Sequence, residues 1–269
     1  MKKAVLLSLL FAACSTPTVA DSFSLPIWKE DVEALGYTLP KPIGFNLSYM
    51  TMEQGINVDS IDLQGLDFIQ LNADPGKQYT EVLTLRADVW LLPFLNLYGL
   101  VGKLDGYSTT DVNLTVGSCL STKIQDFRLD LDGYTTGFGA VLVGGYENWF
   151  ALVDASFTQS RLTVIDGTID AIVISPRVGY DFNRHGTPLR IWAGAMYQDV
   201  EQTLSGSVSD LSSSYRRLPN LKFEVQQHLQ TPWNPIVGMQ YQINESWYLL
   251  GEFGFGDRQS MFFSVDRRF

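Results

Sequence analysis

This chain is poor in cysteine, histidine and basic residues, and no part of it is continuously apolar. Two Cys occur in 269 residues. Cys14 falls in the leader described below, which leaves Cys119 alone and excludes an intramolecular disulfide framework. A lone small thiol is read as a partly buried packing residue. The two histidines, His185 and His228, offer little material for acid–base chemistry at neutral pH, where imidazole is the usual group. Lys and Arg number 19 against 29 Asp and Glu, a formal net charge of −10. That excess argues against nucleic acid or an anionic membrane surface as partner, since both attract basic residues. No segment after the leader approaches the roughly 18 uninterrupted apolar residues of a spanning helix. A Gly-rich phosphate cradle, a metal-ligand cluster and a nucleotide fingerprint are all missing, so no cofactor and no metal are expected.

What is present begins with an export leader. Lys2 and Lys3 give a positive start, Ala4 to Ala13 an apolar stretch, and Thr18-Val19-Ala20 a small-residue cleavage site before Asp21. Leu10 to Cys14 also has the outline of a lipoprotein box, but Phe11 is too bulky for its place there. Cleavage after Ala20 is expected, and loss of the two lysines makes the chain two charges more negative. Residues 21–42 form an N-terminal segment in which Trp28, Val32 and Leu35 repeat at helical spacing before Gly36. A short helix is predicted there, at one mouth or inside the lumen of the domain that follows.

From residue 43 to 269 the pattern changes to a period of two, with apolar and polar residues alternating in runs of about ten. Ile43 to Met52 is the first run. Tyr79 to Trp90 and Leu95 to Leu104 follow, then Thr136 to Gly145 and Asn148 to Thr158. Ala171 to Phe182, Pro188 to Tyr197, Pro235 to Gln242, Trp247 to Gly256 and a final strand to Phe269 complete the set. Short turns alternate with long polar stretches at Glu53 to Gln78, Asp105 to Thr135, Gln159 to Asp170 and Gln198 to Asn234. A soluble β-sandwich also gives short alternating strands. The regular short–long alternation instead fits a transmembrane antiparallel up-and-down β-barrel of about ten strands. Twelve are expected if Asp126 to Leu131 and Leu221 to Gln227 join the wall. One face of the strands carries Leu83, Leu85 and Val89; Ile172, Ile174, Val178 and Tyr180; Leu249, Phe253 and Phe255, with no charge among them. Trp90, Trp149, Trp192 and Trp247 lie near strand ends, as an aromatic girdle requires, although Trp192 falls on the inward face.

The last strand carries a resemblance. Met261, Phe263, Val265 and the terminal Phe269 alternate with Phe262, Ser264, Asp266 and Arg268. This is similar to the C-terminal assembly signal of Gram-negative outer-membrane β-barrels, with Arg267 standing where an apolar residue is usual. The resemblance implies residence in the outer membrane, contact with its lipid and lipopolysaccharide, and recognition of Phe263, Val265 and Phe269 by the barrel-assembly machinery. It implies no substrate.

Nine charges fall on the inward face in one register: Arg86, Asp88, Asp154, Arg177, Asp181, Arg190, Glu252, Asp266 and Arg268. A ten-stranded barrel has little bore, so these four Arg and five acids are expected to pair in a filled lumen. The alternative is a narrow polar conduit. Asp130-Leu131-Asp132-Gly133 lacks the oxygen spacing of a calcium loop and is read as solvated. His228, near Ser212, Ser213, Ser214 and Glu224, is the one candidate for a surface hydrolase or protease. Ser-rich loops are ordinarily just solvated, and no enzyme is expected. The expected function is non-catalytic: a surface barrel presenting its long outer loops for binding or structure, with a narrow porin-like channel as the alternative.

Overall fold

Residues of alternating polarity form strands because each side of the pleat meets a different surroundings. The computed structural model describes residues 25–36, 38–63, 69–116, 120–163, 166–207 and 222–269. The leader, Cys14, Cys119, Leu221 and Ser212 to Ser214 lie outside the described residues. The strands are β1 (Ile43–Leu63), β2 (Ile69–Ala73), β3 (Gly76–Leu92), β4 (Leu95–Val116), β5 (Leu120–Asp130), β6 (Gly133–Tyr146) and β7 (Trp149–Leu162). They continue with β8 (Asp166–Asp181), β9 (Leu189–Ser207), β10 (Lys222–Leu229), β11 (Trp233–Gln242), β12 (Trp247–Gly254) and β13 (Gln259–Arg268).

Ten of them, all but β2, β5 and β10, pair antiparallel in chain order. The ring closes where Gly44 to Glu53 of β1 pair with Arg268 to Gln259 of β13. The fold is therefore a closed up-and-down β-barrel with no free edge at the level of these pairs. The two segments that raised the count to twelve are strands, but they do not enter this ring. β5 pairs with β4 beyond the wall, and β10 pairs with the far ends of β1 and β9.

The long polar stretches are mostly ladder rather than loop. β1 runs 21 residues and β4 runs 22. The stretch from Gln159 to Asp170 is taken up by β7 and β8 except for residues 163–165. Polar residues suffice on the outer face of these extensions, which stands beyond the apolar belt. β11, β12 and β13 stop short, and β10 fills the gap above them by pairing Ile56 to Leu63 with Leu229 to Phe223 and Glu201 to Ser207 with His228 to Lys222. The wall thus passes from ten strands at the turn end to eight at the loop end: β1, β3, β4, β6, β7, β8, β9 and β10.

The outer surface at mid-height is apolar. Leu83, Leu85, Ile172, Ile174, Val178, Leu249, Phe253 and Phe255 are all exposed, as are Leu47, Val101, Phe138 and Met239. A continuous belt of this kind is unfavourable in water and is met by lipid. Aromatic pairs edge it: Trp149 with Tyr180 near the turn end, ring centres 5.2 Å apart, and Tyr197 with Trp233 near the loop end at 5.1 Å. Arg267 belongs to this edge, which accounts for its place in the last strand. Its guanidinium lies 4.7 Å from the Phe269 ring centre and 5.3 Å from that of Trp247, with the charge at the wet border of the belt. Trp90 is not part of the girdle. It faces inward with Trp192, and only Trp149 and Trp247 of the four expected girdle residues face out.

The N-terminal helix, α1 (Lys29–Ala34), is a turn and a half long and ends at Gly36, whose φ of 85° suits a glycine C-cap. A helix this short needs a platform. Trp28 packs on Phe94 at the β3–β4 turn, with centroids 6.3 Å apart, and the Ile27 amide donates to the Leu91 carbonyl at 3.0 Å. The segment therefore sits against the turn end of the barrel.

A wall in which each backbone group bonds to its neighbour resists detergent. An unheated gel sample is expected to migrate differently from a boiled one. Identical migration, together with recovery in the soluble fraction, would contradict the membrane barrel.

Candidate functional site

The inner face of the barrel is the candidate site. It carries two kinds of surface at different heights. At the loop end, where the wall narrows to eight strands, inward side chains meet across the lumen in two apolar layers. Ile56, Leu104, Ile169, Ala171, Val200 and Leu229 form the first. Leu129, Leu131, Leu204 and Val225 form the second, and Leu131 and Leu204 have no exposed surface at all. A few buried amides lie nearby: Gln202 Nε2 donates across the barrel to Gln78 Oε1 at 3.0 Å. These layers form a roof.

Below the roof the lumen holds a cavity of about 890 Å³. The sequence reading expects a filled interior, and the cavity corrects it. Its upper wall is set by Met52, Val82, Leu100, Val173 and Leu250, and N-terminal residues Val32, Leu39 and Pro40 line its turn end. Two aromatics lie flat against the wall, each opposite a glycine. A Cβ at Gly139 would overlap the Tyr98 ring, and one at Gly238 would overlap the Trp192 indole.

Eight of the nine inward charges of the sequence reading line this cavity and the ninth, Asp88, is buried beside Arg268; they gather into separate groups rather than one network. One group pairs Arg177 with Glu252, through Nε to Oε2 at 2.7 Å and Nη2 to Oε1 at 3.0 Å; the Trp192 indole adds a third donor at 2.7 Å. Nearer the turn end, Asp88 accepts from Arg268 at 2.7 Å and from Asn96 at 2.6 Å, and Arg86 donates to the Asn96 amide oxygen at 3.0 Å. The Arg86 guanidinium also stacks 3.7 Å from the Tyr98 ring centre, and the Tyr98 hydroxyl donates to Asp154 at 2.6 Å. Arg190 bonds Asp181 at 2.8 Å, and Asp181 in turn accepts from the Asn183 amide of the turn. Asp266 faces its cross-strand neighbour Asn46, which bonds it.

Sequence reasoning missed Trp90, Tyr98 and Asn96 as lining residues, and it missed Arg258. Arg258 lies in the β12–β13 turn and is 1% exposed. The signal was available: Arg258 is two residues before the inward Ser260 and four before Phe262, so the period of two places it inside.

His228 sits outside the barrel, on β10. Its Nδ1 lies 2.8 Å from Asp59 Oδ2, and its Nε2 is 3.4 Å from the Asn57 amide. Both His228 and Asp59 are about half exposed, and no hydroxyl or thiol bonds the pair among the described residues. Asp130 is held by Arg128 at 2.9 Å, and no group of three metal-binding side chains occurs among the described residues. His185 closes a turn by bonding Tyr180 and Asn148.

Closed pairing, an apolar belt and aromatic edges define a membrane-spanning β-barrel of the outer-membrane class. No family model matches the chain, and no curated protein matches it. Among solved structures it is similar to the outer membrane protein OprG from Pseudomonas aeruginosa, at 11% identity over 86% of this chain and 98% of that one, TM-score 0.46. The translocator domain of the autotransporter NalP from Neisseria meningitidis gives 10%, 89%, 93% and 0.40 in the same order. The Ralstonia pickettii toluene transporter TbuX gives 10%, 86%, 90% and 0.38.

Proposed function

We propose that this protein is a non-catalytic outer-membrane barrel whose lumen receives small, largely apolar molecules, and that it is not a water-filled pore. One observation carries the reading: a cavity of about 890 Å³, lined by aliphatic and aromatic side chains interleaved with polar ones, lies under a two-layer apolar roof. Binding sites for small molecules share this size and character, with a few polar groups fixing orientation. An aqueous conduit would instead need a polar path through the loop end, where the two layers close the lumen. The paired charges support the chamber by neutralising one another at its lower wall. Outer-membrane lipid is the partner of the belt in this reading, and the alternating last strand, with Phe263, Val265 and Phe269, is what assembly machinery would read.

A second reading rests on the extensions at the loop end. β1, β9 and β10 on one side, and β2, β4 and β5 on the other, continue as sheet beyond the belt and offer a shaped surface for an extracellular partner.

Trp90 and Trp192 report on the chamber directly, since both line it. Titrating the refolded barrel with a brominated apolar probe is expected to quench tryptophan emission saturably. The saturable component should disappear in the Trp90→Phe, Trp192→Phe double variant, leaving only quenching of lipid-facing indoles. Quenching that never saturates, or that the double variant leaves unchanged, would remove the chamber as a binding site.

A further inference from the structure

At the loop end of the chamber, one buried polar cluster has more hydrogen-bonding capacity than partners. Arg258 is 1% exposed and forms no ion pair among the described residues. Its Nη1 donates to Gln198 Oε1 at 2.9 Å and its Nη2 to the Met196 carbonyl at 3.0 Å, but Nε is buried without a partner. Asn234, also 1% exposed, has neither its amide nitrogen nor its amide oxygen bonded, so turning the amide over relieves nothing. Cross-strand pairing puts Asn234 beside Met196, and Ser260 hydroxyl and Asn234 amide crowd the same position opposite Gly254. Met196, Gln198 and Ser260 face the cavity, and Arg258 lies behind Met196 and Gln198, which accept from it.

A buried cation without a counter-ion is expensive, and so is each orphaned amide group. Burial pulls the Arg258 guanidinium below the ordinary arginine range to about 10, yet it remains charged at neutral pH. Gln198 presents a neutral oxygen to Nη1 at the lumen surface, where an anionic oxygen would bond more strongly. We infer that Arg258, with Asn234 and Ser260, is the head-group subsite for the carboxylate of a small apolar monocarboxylic acid whose hydrocarbon part lies in the chamber. The charge selects a monoanion: one guanidinium balances one carboxylate, whereas a phosphate monoester dianion would leave a negative charge buried. The carboxylate displaces Gln198 Oε1 from Nη1 and takes the free donor of Asn234 Nδ2. This inference rests on the chamber reading above and narrows it to a ligand class.

The test compares dodecanoate, dodecanol and dodecyl phosphate as competitors of the brominated probe, using refolded wild-type barrel at pH 7. Dodecanoate is expected to compete at least about ten-fold better than dodecanol, the size of a charge-assisted hydrogen bond, and better than the phosphate. Arg258→Gln should abolish the difference between acid and alcohol, and Arg258→Lys should keep part of it. Equal competition by acid and alcohol in the wild type overturns the inference and leaves the chamber intact, a comparison that needs no variant to fold. Failure of all three to compete counts against the chamber itself. Stronger competition by the phosphate reassigns the subsite to another oxyanion and likewise overturns the carboxylate.

Discussion

Replacing Arg177 with alanine is expected to lower the stability of the refolded barrel by on the order of 3 kcal/mol, read as a fall in the urea midpoint. The reason lies in what stays behind. Glu252 is 5% exposed and receives two of its three donors from the Arg177 guanidinium. Without them, a carboxylate shut away from water keeps only the Trp192 indole. The wall cannot collapse around it, because both neighbouring strands are fixed by their ladders. Removing both charges together, as in Arg177→Met with Glu252→Leu, should recover most of the loss, since the buried charge then disappears with its partner. A single variant of wild-type stability whose only change is altered ion selectivity would show instead that the pair lines an aqueous path.

Opening the roof should have an effect as large. Leu104 belongs to the first apolar layer and Leu204 to the second, and they are 6% and 0% exposed. Cutting each to alanine removes three carbons from a packed layer, at roughly 2–5 kcal/mol per site in well-packed interiors. Two such vacancies at successive levels would join the chamber to the outer solvent. Liposomes holding the Leu104→Ala, Leu204→Ala variant are expected to release an entrapped small solute far faster than those holding wild type. Equal release by both would mean that the two layers are not the barrier.

Much of the wall could be read from the sequence because lipid on one side leaves a strict signature. Leu83 and Leu85, Ile172 and Ile174, and Phe253 and Phe255 mark one face, and with the face known the register of every charge between them follows. The ends of the strands could not be read in this way. Beyond Met52 in β1 or Leu104 in β4 neither face meets lipid, so Glu53 to Leu63 and Asp105 to Val116 look like loop although they hold full ladders. The roof was hidden for a related reason. Ile56, Leu104 and Leu204 are apolar on the inward face, where a barrel is expected to be polar, and they find each other only because β10 narrows the ring. That closure depends on pairing between residues some 170 positions apart, Ile56 with Leu229, which no local pattern reports. Arg258 escaped notice because it lies in the four-residue β12–β13 connection, before the alternation that Ser260 and Phe262 make plain.

Single-channel recording of the refolded wild-type protein in a planar bilayer tests the closed apolar chamber most directly. A roofed chamber predicts correctly inserted barrels, verified by their heat-dependent mobility, that give no steady ohmic current in concentrated potassium chloride. A stable, open conductance from the same preparation would contradict the roof and make the lumen a water-filled pore.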